Sequence, residues 1–307
     1  MTEKKIFSGR PISPCVLALG TFDGVHAGHR LLIENTLRLA ASLGMSAGVF
    51  FFEIPPAAYF SADFPGMITD KNSRFELFGE LGLDFAVAAD FPGFRNITSA
   101  DFIGKVLKTD FGCMGAVCGF NYTFGSGASG GPEDLKNAFG DNFICVGPFM
   151  KDGKIVSSSR IREMIAAGDT EGAAAAGTEY SVCAEVIGGR REGRTLGFPT
   201  INQRLPENIV MPKKGVYVSR VGLPDGRVFP GVTDIGNAPT LTDARETVLE
   251  THICGFQGDL YGKNVKITLC TRIRDEKKFS SVDELVSRIR SDKEFAERYF
   301  SSDVRTP

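Results

Sequence analysis

Two of the three histidines in this 307-residue chain, His26 and His29, stand three residues apart in the segment GTFDGVHAGHR, residues 20–30. At a helix start that spacing turns both imidazoles toward one point. The helix N-terminus adds oriented N–H donors and a partial positive charge, and Gly28 between the two rings keeps the backbone open to a bulky anion. The chemistry this suits is stabilisation of a phosphate that gains negative charge during transfer, with no covalent step through the protein. An accidental His-x-Gly-His arises in about one chain of this length per hundred. Zinc is a poorer reading, because two histidines with no cysteine or third histidine nearby leave the metal under-coordinated.

A second polar constellation is VSSSRIR, residues 156–162, whose hydroxyls and guanidiniums suit the β- and γ-phosphates of a nucleotide. Alone it reads as a serine cap followed by a solvated helix face. Beside the histidine motif the phosphate reading gains. GSGASG, residues 125–130, matches a dinucleotide-binding pattern in form only: it does not directly follow a strand, and the next strand ends in Gly147-Pro148 rather than an acid. It reads as a loop.

The C-terminal half carries GRTLGFPTIN, residues 193–202. Gly193 and Gly197 let the backbone approach phosphates, Pro199 stiffens the turn, and Thr200 and Asn202 are hard oxygen donors suited to Mg²⁺ shared with nucleotide phosphates. Glu250 is an acid inside the apolar run TVLETH, residues 247–252, and in a pocket it can take a proton from an attacking hydroxyl. GVTDIGNAPT, residues 231–240, reads as a second Gly/Pro-rich loop, and RDEKKF, residues 274–279, as a charged segment able to cover a ligand. His252 has no motif around it and receives no catalytic role.

Elements must hold these groups in place. In the first half, apolar runs at Val16–Leu19, Ala47–Phe52, Phe85–Ala88, Gly115–Gly119 and Phe143–Val146 alternate with helical stretches at His29–Leu43, Ser73–Leu81, Ala100–Lys108 and Glu133–Phe139. That alternation predicts a Rossmann-like α/β domain, a parallel sheet with helices on both faces. A ligand crevice then opens at the carboxyl end of the first strand, where His26 and His29 fall. From Ser181 the texture changes to short period-two runs, at Val182–Ile187, Gly215–Val221, Arg227–Ile235, Thr247–Cys254 and Asn264–Thr271, before a helix over Ser281–Tyr299. Such spacing predicts a closed or nearly closed antiparallel barrel. The domains are expected at 1–178 and 181–303, in keeping with a soft prior of about 150 residues each.

A net charge of −2 without a basic tract argues against a nucleic-acid partner, and no apolar run reaches the ~20 residues of a membrane span. Seven cysteines scattered singly, with no CxxC pair, point to a reducing cytoplasm rather than a disulfide framework.

GTFDGVHAGH, CGFNYTFG and VSSSRIR resemble the adenylyltransferase module of prokaryotic bifunctional riboflavin kinase/FMN adenylyltransferases. GRTLGFPTIN, GVTDIGNAPT, LETHICGFQGDLYGK and RIRDEKKF resemble their riboflavin kinase module, so the resemblance covers nearly the whole chain. It implies a six-stranded barrel with a C-terminal helix for the second module. It implies riboflavin, FMN and ATP as substrates, with Mg²⁺, and FAD and pyrophosphate as products. His26 and His29 would stabilise the transferring phosphoryl group, with Gly20, Phe22, Asp23 and Gly28 around the ATP and Ser158, Ser159 and Arg162 on its terminal phosphates. Asn121, Tyr122 and Phe124 would line one flavin pocket, and Arg274 would lie near the flavin of the other module. Thr200 and Asn202 would hold Mg²⁺–ATP beside Gly193, Gly197 and Pro199, with Glu250 as base on the ribityl 5′-hydroxyl. The protein is expected as a monomer or weak oligomer. Two positions depart from the family pattern: Ile201 replaces an alanine, and Pro55 stands where a histidine is usual. The second departure leaves an alternative, a monofunctional riboflavin kinase with a weak or inactive N-terminal half.

Overall fold

The computed structural model of the chain describes residues 14–189, 193, 196–239 and 245–302; Arg194, Thr195 and Thr240, within two of the motifs above, lie outside them. It groups into two compact units, Met1–Ser158 and Ser159–Pro307.

The first unit is built on a five-stranded parallel sheet: β1 (Cys15–Leu19), β2 (Ser46–Phe52), β3 (Phe85–Ala89), β4 (Cys113–Gly119) and β5 (Phe143–Val146), in the order β3-β2-β1-β4-β5. β1 shows why helices cover both faces. Cys15, Leu17 and Leu19 pack into one core with Phe50, Phe102 and Leu135, while Val16 and Ala18 pack into another with Leu32, Ile33 and Phe78. The first helix, Ala27–Leu43, buries Leu32, Ile33, Thr36 and Ala40 and ends at Gly44, whose φ of +65° turns its N–H back onto the carbonyls of Ala40 and Ala41. The helix Lys71–Glu80 begins where the Asp70 carboxylate accepts the Ser73 N–H at 3.0 Å. Strand order reverses about β1, so the crevice of this sheet opens past the carboxyl ends of β1 and β4. A short hairpin follows, β6 (Met150–Lys151) with β7 (Lys154–Ile155).

The second unit is the nearly closed six-stranded antiparallel barrel, with the helix Val282–Ser302 at its C-terminal end. Its strands are β8 (Ser181–Glu185), β9 (Thr200–Arg204), β10 (Gly215–Gly222), β11 (Val228–Pro239), β12 (Arg245–Ile253) and β13 (Asn264–Arg274), in the order β8-β13-β10-β11-β12-β9. β9 is missing from the five runs that period-two apolarity picks out, because its inward residue is polar. The Gln203 amide is fully buried and donates to the carbonyls of Val265 on β13, at 2.8 Å, and Ala184 on β8, drawing the open edges together. The Ile187 N–H adds a bond to the Asn202 carbonyl at 2.8 Å. Inside the barrel, Thr233 bonds Ser219 at 2.7 Å and Thr251 at 2.9 Å, so buried hydroxyls from three neighbouring strands satisfy one another.

One expectation is corrected here. GVTDIGNAPT is no loop: β11 runs through it to Pro239, paired in full register with β12. Gly236 is tolerated in the strand because the Glu276 carboxylate lies where its side chain would be. The helices Ser158–Ala167 and Thr170–Ala175 follow the first sheet in sequence, but from Ser159 onward they group with the barrel. The Thr170 hydroxyl bonds the Cys270 carbonyl at 2.9 Å, and the Lys213 N–H bonds the Ile165 carbonyl at 3.2 Å.

Candidate active sites

At the end of β1 the chain makes a sharp turn before the first helix. Phe22 and Val25 have φ of +50° and +41°, a left-handed conformation that non-glycine residues seldom adopt. Gly20 leaves room for the Phe22 ring, which lies 3.1 Å from where a side-chain carbon on Gly20 would sit. Phe22 is buried, 5.1 Å from the His29 ring and edge-on to Phe78 at 5.8 Å. His26 caps the first helix: its Nδ1 accepts the His29 N–H at 3.4 Å. That bond requires a lone pair on Nδ1, so the neutral ring carries its proton on Nε2. The two imidazoles stack, centroids 3.7 Å apart and planes 15° from parallel. Gly28 makes the stack possible, since a side-chain carbon there would meet the His26 ring at 3.2 Å.

Both rings are neutral. They are 6% and 9% exposed, and burial pushes the His26 pKa down to about 4. His29 is held well below the usual imidazole range, first by burial, then by the repulsion that would arise if both rings were protonated, and then by the charge of Arg74. Two stacked neutral imidazoles, His26 among them with an Nε2–H donor, suit charge that appears only in a transition state.

Asp23 is placed differently from its neighbours in the motif. It is 1% exposed, and its carboxylate accepts the N–H groups of Ile68 and Thr69 at 3.0 and 3.1 Å. The Ser158 hydroxyl donates to the Asp23 carbonyl at 2.9 Å, which joins two separate motifs. Ser159 and Arg162 lie on the helix that Ser158 opens.

Beyond β4, a cavity of about 280 Å³ is walled by aromatic rings, among them Phe52, Phe91, Phe94, Phe102, Tyr122 and Phe124. Tyr122 and Phe124 stack at 5.8 Å, whereas Asn121 is exposed and outside the wall. GSGASG is a loop folded back on itself: Phe124 and Gly130 exchange N–H···O bonds of 3.1 and 2.9 Å, and the Phe124 ring occupies the space a side chain on Gly130 would need.

In the barrel, β9 brings together residues far apart in sequence. Asn202 pairs with Glu250 and Thr200 with His252 across β9 and β12. The Thr200 hydroxyl donates to Glu250 Oε1 at 2.7 Å. Ahead of β9 the Gly193 carbonyl accepts the N–H groups of Leu196 and Phe198, at 3.2 and 2.8 Å, and Gly197 turns the chain at φ +84°. The His252 Nδ1–H donates to the Pro199 carbonyl at 2.9 Å while its ring meets Phe198 edge-on at 5.6 Å, so His252 pins the Gly-Phe-Pro turn. Thr200 and Pro199 open onto a cavity of about 670 Å³ whose far wall includes Ile253, Phe256, Asp259 and Tyr261, a size suited to a nucleotide. Arg274 is turned to the C-terminal helix, where its Nε and Nη2 bond the buried Asp292 carboxylate at 2.9 and 2.8 Å.

Comparison with known proteins agrees with a division into two modules. The FAD synthetase family model matches residues 10–160 and the riboflavin kinase model residues 176–300. The bifunctional riboflavin kinase/FMN adenylyltransferase of Haemophilus influenzae is 33% identical, covering 96% of this chain and 97% of its own. The chain belongs to the bifunctional riboflavin kinase/FMN adenylyltransferase family. The protein of that name from Bacillus subtilis is 33% identical over 94% of this chain and 93% of its own. A solved structure from Streptococcus pneumoniae, titled a macrolide-efflux protein, superposes with a TM-score of 0.85 at 31% identity, covering 96% and 97% of the two chains. No helix among the described residues of this chain is long and apolar enough to cross a membrane.

Pro55 precedes a short helix, Pro56–Phe60, so a rigid apolar turn stands at this position. In the kinase module, no three His, Cys, Asp or Glu residues gather into a metal cage among the described residues. Mg²⁺ held mainly through nucleotide phosphates does not need one, and the hydroxyl of Thr200 with the amide of Asn202 fits that mode.

Sequence reasoning missed two residues. Asp234 lies in register opposite Glu250, with a buried Oδ1 that has no partner. Its carboxyl is raised to about 6 by burial and then by Glu276, against the pull of Arg274. Its signal was the strand alternation inside a stretch read as a loop. Arg74 is buried beside the histidine turn.

Proposed function

We propose that the chain makes FAD in two steps, each assigned to one module. In the kinase module Glu250 takes the proton of the riboflavin 5′-hydroxyl as that oxygen attacks the γ-phosphorus of ATP, giving FMN and ADP. Thr200 orients the Glu250 carboxylate through their hydrogen bond. Thr200 and Asn202 would hold Mg²⁺, which when bound neutralises charge on the nucleotide phosphates. In the adenylyltransferase module an FMN phosphate oxygen attacks the α-phosphorus of a second ATP, the bond to the β-phosphate oxygen breaks, and pyrophosphate leaves with FAD as the other product. His26 and His29 donate Nε2–H bonds to the phosphoryl oxygens as their charge grows. The aromatic cavity with Tyr122 and Phe124 takes the flavin ring, and Ser158, Ser159 and Arg162 take the terminal phosphates on their chemistry alone.

The observation that carries this reading is the neutral stacked histidine pair in one unit together with the Thr200–Glu250 bond in the other. We assign residues 1–178 to adenylyl transfer, so that the Ser158–Arg162 motif stays with the histidines, and residues 181–303 to the kinase. Seven free cysteines support a reducing cytoplasm, where the protein acts as a monomer or weak oligomer. The test is a time course of riboflavin with ATP and Mg²⁺, resolved by chromatography. FMN rises and then gives way to FAD, with one pyrophosphate per FAD. FMN that accumulates with no FAD refutes the adenylylation half, and absence of FMN refutes the kinase half.

A further inference from the structure

Among the described residues Arg74 is the largest fully buried side chain, 1% exposed within the helix Lys71–Glu80. A guanidinium is among the costliest groups to remove from water, so such burial calls for specific partners. Its Nη1 donates to the carbonyls of Thr21 and Phe52 at 3.3 and 3.2 Å, and its Nη2 donates to the carbonyl of Glu53 at 2.5 Å. The guanidinium carbon lies 4.6 Å over the Phe51 ring, while Nε is buried without a partner. These carbonyls belong to two segments, the turn leaving β1 and the end of β2.

The tie is reciprocal. From the turn, the Asp23 carboxylate holds the N–H groups of Ile68 and Thr69, just ahead of the helix that carries Arg74. Phe22, in the same turn, packs edge-on against Phe78 of that helix. The turn needs such support: Phe22 and Val25 are both left-handed, a strained region for residues other than glycine. His26 and His29 follow directly, so their stack inherits any shift of the turn.

We propose that Arg74 is a positioning residue for adenylyl transfer, holding the left-handed turn so that both imidazoles aim at one phosphoryl group, without touching the nucleotide itself. This rests on the assignment of adenylyl transfer to His26 and His29. The charge of Arg74 acts in the same sense, since with His26 it opposes protonation of His29. Asp23, Asp70 and Glu53 in turn favour the charged guanidinium. Lysine keeps the charge, but a single ammonium cannot reproduce a planar fork on three carbonyls.

The experiment compares full-length Arg74→Lys, Arg74→Met and His29→Ala with wild type. It measures kcat and KM for ATP and FMN in FAD formation, ATP binding by calorimetry, and riboflavin phosphorylation in the same samples. Arg74→Lys should lower kcat for FAD at least about tenfold and Arg74→Met further, as expected for misplaced catalytic groups. KM for both substrates should stay within about threefold, and riboflavin phosphorylation should be unchanged. Wild-type kcat in both Arg74 variants overturns the proposal. So does a rise in KM at unchanged kcat, which makes Arg74 a direct nucleotide ligand. Loss of ATP binding in Arg74→Lys also overturns it, reducing Arg74 to structural support. Undiminished FAD formation by His29→Ala refutes the site assignment instead, whatever Arg74 does.

Discussion

The neutral histidine pair makes the stability of the adenylyltransferase module depend on pH in a way that isolates one residue. His26 binds its proton with a pKa near 6.5 when exposed and about 4 when folded, because burial disfavours the imidazolium. Between those values the unfolded chain holds more protons, so stability rises with pH there. The full stability is present above pH 6.5 and is lost as pH falls toward and through 4. At about 1.4 kcal/mol per pKa unit, the loss from His26 alone is about 2 kcal/mol at pH 5 and about 3 kcal/mol at pH 4. His29, also shifted down, adds in the same direction. The perturbation is His26→Gln, which keeps an acceptor for the His29 N–H but cannot titrate. Urea unfolding of both proteins is followed by circular dichroism between pH 7.5 and 4, the chain having no tryptophan. Titrating groups not coupled to His26 cancel in the difference, and the part of the His29 shift that comes from His26 adds to it. Wild type should lose about 2 kcal/mol more than His26→Gln between pH 7.5 and 5. Two pH dependences that run parallel within about 0.5 kcal/mol would refute a buried neutral pair and the donor chemistry built on it.

Three further outcomes follow from the two sites. His29→Ala should cut FAD formation at least about 100-fold while FMN formation continues, since only one module loses a transition-state donor; an unchanged FAD rate on supplied FMN counts against the donor role. Glu250→Gln should do the reverse, lowering FMN formation by about 10²–10⁴-fold, the range for removal of a general base, with FAD formation from supplied FMN intact. Gly28→Ala places a carbon 3.2–3.3 Å from the His26 ring and should prise the stack apart, lowering kcat for FAD about tenfold at nearly constant melting temperature; a wild-type kcat shows that the stack is not needed.

The fold was legible where burial is periodic. In β1 the alternation of Cys15, Leu17 and Leu19 with Val16 and Ala18 maps onto two separate cores, and that pattern survives in a bare string of letters. It fails at β9, where the inward residue is Gln203, and it stops at Ile235, short of Gly236–Pro239, whose glycine and proline suggest a loop although each residue has a strand partner. The first site was legible because its geometry is local: one cap, one spacing of three, one glycine. The second needs Thr200 beside Glu250, fifty residues on, and only a family resemblance could join them ahead of the strand register. Arg74 was invisible for a different reason. An arginine on a short helix reads as a solvated face, and only its burial on three carbonyls shows otherwise.

The two modules solve opposite electrostatic problems, and their burial differs accordingly. Adenylyl transfer asks for groups that hold growing negative charge on a phosphoryl centre without giving up a proton to the ground state. A solvated imidazole near its ordinary pKa would change charge close to neutral pH. Sinking His26 and His29 below 10% exposure fixes them as neutral donors across that range. The kinase step asks instead for a group able to receive a proton from a hydroxyl. Glu250, the base proposed for it, is exposed and anchored by one short bond from Thr200. The neighbouring acid in register, Asp234, is the one that burial drives up to about 6. Solvating the histidines would return them toward the ordinary imidazole range, and a carboxyl sunk to the depth of Asp234 would be raised as Asp234 is, so the sequence has to specify depth of burial as strictly as residue type.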